Sequence, residues 1–299
     1  MRRAAPAVAG ALCAALAAAG CGVGPGKDVG QVRLLVTRDY GATILVPTTT
    51  EDVKETDDVL RVLDRHADVG TRYSGRFVQS VNGIEGGRSD GRLVDWFYSV
   101  NGIEPAIGST DYELGDGDRV WWDHRDWTAA MRMPANVGAF PEPFLHGYEG
   151  ERHAVVLDCH APPGCVGARS RLEEAGVPLA GAAEPDAIRI LLGPWPLVRR
   201  DPTAKLVEAG PSISGVFARF VRGPDDWRLE LLDERGEVDS VRHSGAALVA
   251  AIRDGDGPPV WLVTGLGPEG VRDAAGLLDE ETLAGKYAAG PGGEALPAR

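Results

Sequence analysis

Residues 96–127, WFYSVNGIEPAIGSTDYELGDGDRVWWDHRDW, constrain this chain more than any other segment. They hold four of its seven tryptophans, at 96, 121, 122 and 127. Two runs rich in aromatic and β-branched residues flank turn signals at Asn101-Gly102 and Leu114-Gly115-Asp116-Gly117-Asp118. Runs of this kind bounded by turn residues read as strands. Each indole buries a large apolar area, so tryptophans this concentrated anchor either a small core or a bound ligand.

The residues upstream complete a compact unit. VRLLVTRDYGATILV (32–46) offers two strands around Asp39-Tyr40-Gly41, a hairpin signal. A helix follows, with Thr56 as its cap, Asp57 and Asp58 suited to its positive end, and Val59, Val62, Leu63 and His66 on one face. Phe77-Val78-Gln79-Ser80-Val81 and 96–100 are two further strands, and both run into Ser-Val-Asn-Gly-Ile-Glu. Asn-Gly favours a tight turn with positive φ, so these are two hairpin ends. Trp96, Tyr98 and Val100 share one strand face, as do Val120, Trp122 and His124. The opposite alternation, Trp121, Asp123, Arg125 and Trp127, is expected to face solvent and a ligand.

The residues Trp96, Tyr98, Val100, Asn101, Gly102, Gly108, Tyr112, Leu114, Gly117, Asp118, Val120 and Trp122 form a pattern that resembles the C-terminal domain of transcobalamins and intrinsic factor, and the similar bacterial domains known as DUF4430. The resemblance implies a ubiquitin-like β-grasp fold, which the strand–strand–helix–strand–strand–strand order also suggests. In those carriers the domain closes over one face of a corrin ring. Cobalamin is therefore the leading ligand, with no cofactor required for its binding. The ligand residues expected on this basis are Trp96, Tyr98, Asn101, Tyr112, Trp121 and Trp127, with Trp121 and Trp127 stacking and Tyr98 and Asn101 meeting the ligand edge.

The N-terminus carries an export signal: Arg2 and Arg3, an alanine-rich apolar stretch over 4–19, then Gly20-Cys21. The stretch is shorter and less apolar than a membrane span, which needs ~20 residues. The order resembles a bacterial lipobox. It implies a signal peptide over 1–20, lipidation of Cys21 and residence on the outer face of the cell membrane, where a transporter is a possible partner. An ordinary cleaved signal is the alternative. A linker (21–30), the β-grasp domain (31–127), a second linker (128–152), an α/β domain with a mixed sheet (153–289) and a disordered tail (290–299) follow, an α+β architecture overall.

In the second domain, 153–158, 188–192 and 260–264 read as strands, with a hairpin near 227–236. Residues 166–175, 201–209, 246–253 and 271–278 read as helices. Gly265-Leu-Gly-Pro-Glu-Gly270 is a formal G-x-G-x-x-G between strand and helix. It lacks the acidic residue that a dinucleotide site needs ~20 residues on, so it reads as a turn. His160 in Asp158-Cys159-His160 is weighed as an axial ligand to cobalt, against an exposed or hydrogen-bonded histidine. Cys159 and Cys165 are an exported pair and favour a disulfide. Zinc held with His153 and His160 is the alternative, although the spacing of a closed site is missing, so no metal is expected.

Of 299 residues, 43% are hydrophobic, enough for real cores, and the net charge is −13. Such an acidic surface argues against nucleic acid, whose binding depends on counterion release by Lys and Arg. No G-x-S-x-G, no H-E-x-x-H and no Cys–His pair with a third partner occurs. The expectation is a non-enzymatic, exported ligand-binding protein. A cell-envelope interaction module and an extracytoplasmic hydrolase housed in the second domain are the alternatives.

Overall fold

The computed structural model describes residues 26–73, 75–89, 91–181 and 184–299. The signal segment and Cys21 lie outside the described residues. Among those described, no helix is long and apolar enough to cross a membrane.

The N-terminal half begins with β1 (Asp28–Arg38) and β2 (Thr43–Lys54), then α1 (Val59–Asp64). It continues with β3 (Val69–Arg72), β4 (Phe77–Val81), β5 (Ile84–Glu85), β6 (Gly87–Ser89), β7 (Arg92–Val100) and β8 (Arg119–Asp126). Five strands form a sheet in the order β2-β1-β8-β7-β6, while β3, β4 and β5 form a small sheet of their own. Within the larger sheet β1 and β8 are parallel and their other partners antiparallel. A first hairpin whose leading strand pairs in parallel with the last strand is the β-grasp arrangement. β1 starts at Asp28, so the expected linker is shorter than 21–30. Both Asn-Gly pairs turn with positive φ, Asn82-Gly83 at 50° and 78° and Asn101-Gly102 at 54° and 77°. The helix caps on Asp58, not Thr56: its carboxylate accepts the Arg61 N–H at 2.8 Å.

The second half contains β9 (Val155–Cys159), α2 (Pro162–Glu174), β10 (Ile188–Pro194), α3 (Trp195–Val198) and α4 (Pro211–Ser214). After these come β11 (Ala218–Arg222), β12 (Trp227–Leu232), β13 (Val238–Arg242), β14 (Ala247–Ile252) and β15 (Val260–Gly265). The chain ends with α5 (Gly267–Gly276), α6 (Glu280–Leu283), β16 (Ala288–Ala289) and β17 (Ala295–Leu296). The main sheet is mixed, in the order β17-β16-β14-β15-β10-β9. β9, β10 and β15 run parallel, and β14 pairs antiparallel with β15. α2 and α5 each follow a parallel strand. They cover one face of the sheet, where Ala168, Leu172, Val271 and Ala274 pack on Ile190, Val249 and Trp261.

Four expectations need correction. Residues 246–253 form strand β14, not a helix. Every side chain from Ala247 to Ile252 is buried, and two-sided burial removes the alternation that marks a strand. Residues 201–209 form only a short 3₁₀ turn at Ala204–Ala209. The expected linker 128–152 is largely core, with Met133, Val137, Phe140 and Phe144 fully buried. The expected disordered tail adds β17 to the sheet edge, buries Leu296, and brings Arg299 to the carbonyls of Asp39 and Tyr40 at 2.9 and 3.0 Å.

Candidate functional site

The two faces of the β-grasp sheet have different fates. Val32, Leu34, Val36, Trp96, Val100, Val120 and Trp122 pack on Val59, Val62 and Leu63 of α1, which is the core that alternation requires. The opposite face was expected to be exposed and is instead covered by the second half. Trp121 is only 5% exposed and sits in one core with Tyr40, Trp195, Phe217 and Leu248. Its ring lies 4.7 Å from that of Tyr287, and its indole N–H donates to the Thr37 hydroxyl at 2.8 Å. Asp123 is buried and accepts from the Thr37 hydroxyl, the Gly41 N–H and the Tyr287 hydroxyl. Burial pushes its carboxyl up. Arg125 is fully buried over the Phe97 ring, 3.8 Å from its centroid, and donates to the carbonyls of Ala130 and Met131. Trp121, Asp123 and Arg125 thus lie on the seam between the two halves, where Tyr287 packs on Trp121 and donates its hydroxyl to Asp123. Trp127 is partly exposed and its backbone pairs with Leu93.

The other expected ligand residues separate into two roles. Trp96 is buried and donates its indole N–H to the Ile84 carbonyl at 2.9 Å. Asn101 is buried at its turn, donating to Asp118 at 2.7 Å and to the Gly147 carbonyl at 2.8 Å, and accepting the Arg119 N–H. Both hold structure. Gly117 has φ +86°, and an added Cβ would stand 2.5 Å from the His146 ring, so only glycine fits there. Burial pushes the neighbouring Asp118 carboxyl up, although the Gly115 N–H and Asn101 bind it. Tyr98 and Tyr112, by contrast, come together 6.5 Å apart, edge to face. Tyr98 donates its hydroxyl to the Ile107 carbonyl at 2.7 Å. Tyr112 lines a cleft.

That cleft lies between the β7–β8 connection and the second half and has a volume of about 440 Å³. One wall is the β7–β8 connection: Pro105, Ala106, Ile107, Asp111, Tyr112 and Glu113. The facing wall is Glu149, Gly150 and Asp256. The first wall is held by Tyr98 and by a backbone bond from Leu60 to the Ser109 carbonyl. The second is a tight turn, since Tyr148 and Glu151 exchange backbone bonds around Glu149 and Gly150 at φ 54° and 79°. A non-glycine residue held in this region is strained and needs outside support. Arg253 gives it, pairing with Glu149 at 2.8 Å and bonding the carbonyls of Asp256 and Gly257 at 3.1 and 2.6 Å. One buried guanidinium thus ties both parts of the facing wall together. A hollow of about 230 Å³ beside Asp118 and His146 adjoins the cleft at Gly150.

Ile107, Asp111, Glu113, Glu149 and Asp256 were not among the residues expected from sequence. Ile107 offered a signal, an apolar residue in a long connection rich in Pro and Gly. Glu149 and Asp256 offered none, because only the fold brings them to Tyr112.

The remaining motifs resolve structurally. An added Cβ at Gly265 or Gly270 would meet the Ala246 carbonyl at 2.3 or 2.1 Å. These glycines therefore admit the chain's own backbone where a phosphate would have to sit. Cys159 and Cys165 are joined as a disulfide with their Cα atoms 5.9 Å apart. His160 lies 3.4 Å from Asp158, and His153 stacks on Tyr148. Among the described residues, no group of three or more His, Cys, Asp or Glu is placed to hold a metal ion.

Residues 56–125 match the family model of DUF4430, a domain of unknown function. The chain thus carries a DUF4430 domain. No curated protein matches the chain. A solved structure from Ruminococcus gnavus ATCC 29149, described as that of a candidate metal-binding protein, is similar over 32% of this chain and 97% of its own, at 13% identity and a TM-score of 0.25. So distant a likeness carries nothing about metal binding to this chain.

Proposed function

We propose that this chain is a non-catalytic ligand-binding protein of the cell envelope, exported and tethered through Cys21, which takes its ligand in the cleft between the β7–β8 connection and the Glu149-Gly150 turn. The observation that carries this reading is the held geometry of the cleft: the turn is strained, and Arg253 and Tyr98 fix the two walls. Pre-formed clefts of ~300–1,000 Å³ with mostly apolar linings are where small molecules bind. Its lining residues include no serine, cysteine, histidine or lysine. A corrinoid is larger than this cleft and would enter it only by an edge or a side group. Cobalamin thus stays a ligand by resemblance, moved away from Trp121.

The test is shift mapping by NMR on the soluble chain from Gly22 onward, using a library of small amphiphiles and, separately, cobalamin. Perturbations centred on 105–113, Glu149, Gly150 and Asp256 support the reading. Perturbations confined to Trp121 and Trp127, or none for any ligand, overturn it. For the tether, Cys21→Ala should release the mature protein from membranes or leave the precursor uncleaved. Equal retention of processed wild type and variant would contradict lipidation.

A further inference from the structure

The charge pattern of the cleft narrows the class of ligand, an inference that rests on the cleft being the binding site. Part of its lining is apolar: Pro105, Ala106, Ile107 and the ring of Tyr112. Ile107 is 50% exposed, a large apolar side chain of the lining left open to water. Four acidic residues share the lining, Asp111, Glu113, Glu149 and Asp256. Glu149 is neutralised by Arg253. Among the described residues, no ion pair reaches Asp111, Glu113 or Asp256. The lining residues include no arginine and no lysine.

From this geometry we infer that the cleft binds small organic cations with an apolar body, in particular primary ammonium compounds carrying an aromatic or branched aliphatic group. The apolar body covers Ile107, Pro105 and Tyr112 and removes their surface from water. The ammonium end donates hydrogen bonds to the unpaired rim carboxylates, where a neutral group gains less and an anion is repelled. Three like charges lining one hollow favour a cation over a neutral molecule of the same shape. The whole protein's charge of −13 works in the same direction. Arg253 is a positioning residue in this scheme: it holds Glu149 and the Asp256 loop in place and cancels one of the four charges.

The experiment is calorimetric titration of the soluble chain with 2-phenylethylammonium, 2-phenylethanol and 3-phenylpropionate, which share a ring and differ in charge. The cation should bind at least about tenfold more tightly than the alcohol, with the carboxylate weakest, and the preference should shrink as salt shortens the Debye length from ~10 Å at 0.1 M to ~3 Å at 1 M. The triple variant Asp111→Asn, Glu113→Gln, Asp256→Asn changes only exposed side chains. It should keep its unfolding midpoint and bind the cation and the alcohol about equally. Equal affinity for cation and alcohol in wild type, or a preference that survives in the triple variant, overturns the charge inference and leaves the cleft as a site for neutral ligands. No binding of any of the three, together with none of cobalamin, overturns the cleft reading as well.

Discussion

Trp121 places its indole against Tyr287, gives its only N–H to Thr37 and is 5% exposed, so it is a core residue. Trp121→Ala should therefore act on stability, at ~3–5 kcal/mol for a buried aromatic. Urea denaturation checks this, and an unchanged midpoint would contradict the packing. At this scale the sequence was half legible. Alternation correctly divided Trp96, Val100 and Trp122 from Trp121, Asp123 and Arg125. It could not say that the second set would be covered, because the covering residues, Tyr287 and Phe217 among them, lie far along the chain. Asn101, Gly117 and Asp118 stand out in the motif because the turn they build needs a side-chain amide, a positive φ and a buried acceptor.

Among the elements, β14 shows where periodicity stops being informative. Ala246-Ala-Leu-Val-Ala-Ala-Ile suits a helix by propensity, and a strand buried on both faces has no alternation to reveal it. The β11–β12 pair carries a pH-dependent contact. Burial pushes the Glu230 carboxyl up, but hydrogen bonds from Arg219 at 2.6 Å and Arg228 at 2.9 Å outweigh it and hold the group below its ordinary value. A carboxyl lowered in the folded state contributes stability that is present above its unfolded pKa, ~4.3, and is lost as pH falls through the folded value. Wild type should therefore lose stability more steeply than Glu230→Gln below about pH 4.3, and parallel acid limbs in urea titrations would contradict this. The disulfide closes a loop of only a few residues at the end of β9, and its reduction should cost about 2 kcal/mol in the chain-entropy model. A reduced protein with an unchanged urea midpoint would argue against that figure.

As a whole, the molecule joins its halves through the seam. Tyr40 and Trp121 share a core with the second half, and Arg33 and Arg119 both reach Glu280 at 2.8 Å. The class, α+β with a β-grasp unit and a mixed sheet, was legible because hairpin turns, strand alternation and strand–helix order are local. The union of the halves was not, since segment 128–152 reads as a Pro/Gly-rich linker although its apolar residues fill the space between sheets. The C-terminus belongs to the same union. Removing residues 291–299 takes away buried Leu296 and the Arg299 contacts to the Asp39-Tyr40 turn. This truncation should cost at least the ~2–5 kcal/mol of a buried leucine, and a truncated chain as stable as wild type would contradict it.

The central claim, that the ligand enters the cleft of Ile107 and Tyr112 and not the Trp121 face, is tested most directly by two variants measured two ways. Ile107→Ser and Trp121→Phe are titrated with 2-phenylethylammonium, and their unfolding midpoints are recorded on the same samples. Ile107→Ser should weaken binding several-fold, about 1 kcal/mol of lost apolar contact, with the midpoint unmoved. Trp121→Phe should lower the midpoint and leave affinity within about twofold of wild type. The reverse pattern, affinity lost at Trp121 and retained at Ile107, would contradict the account.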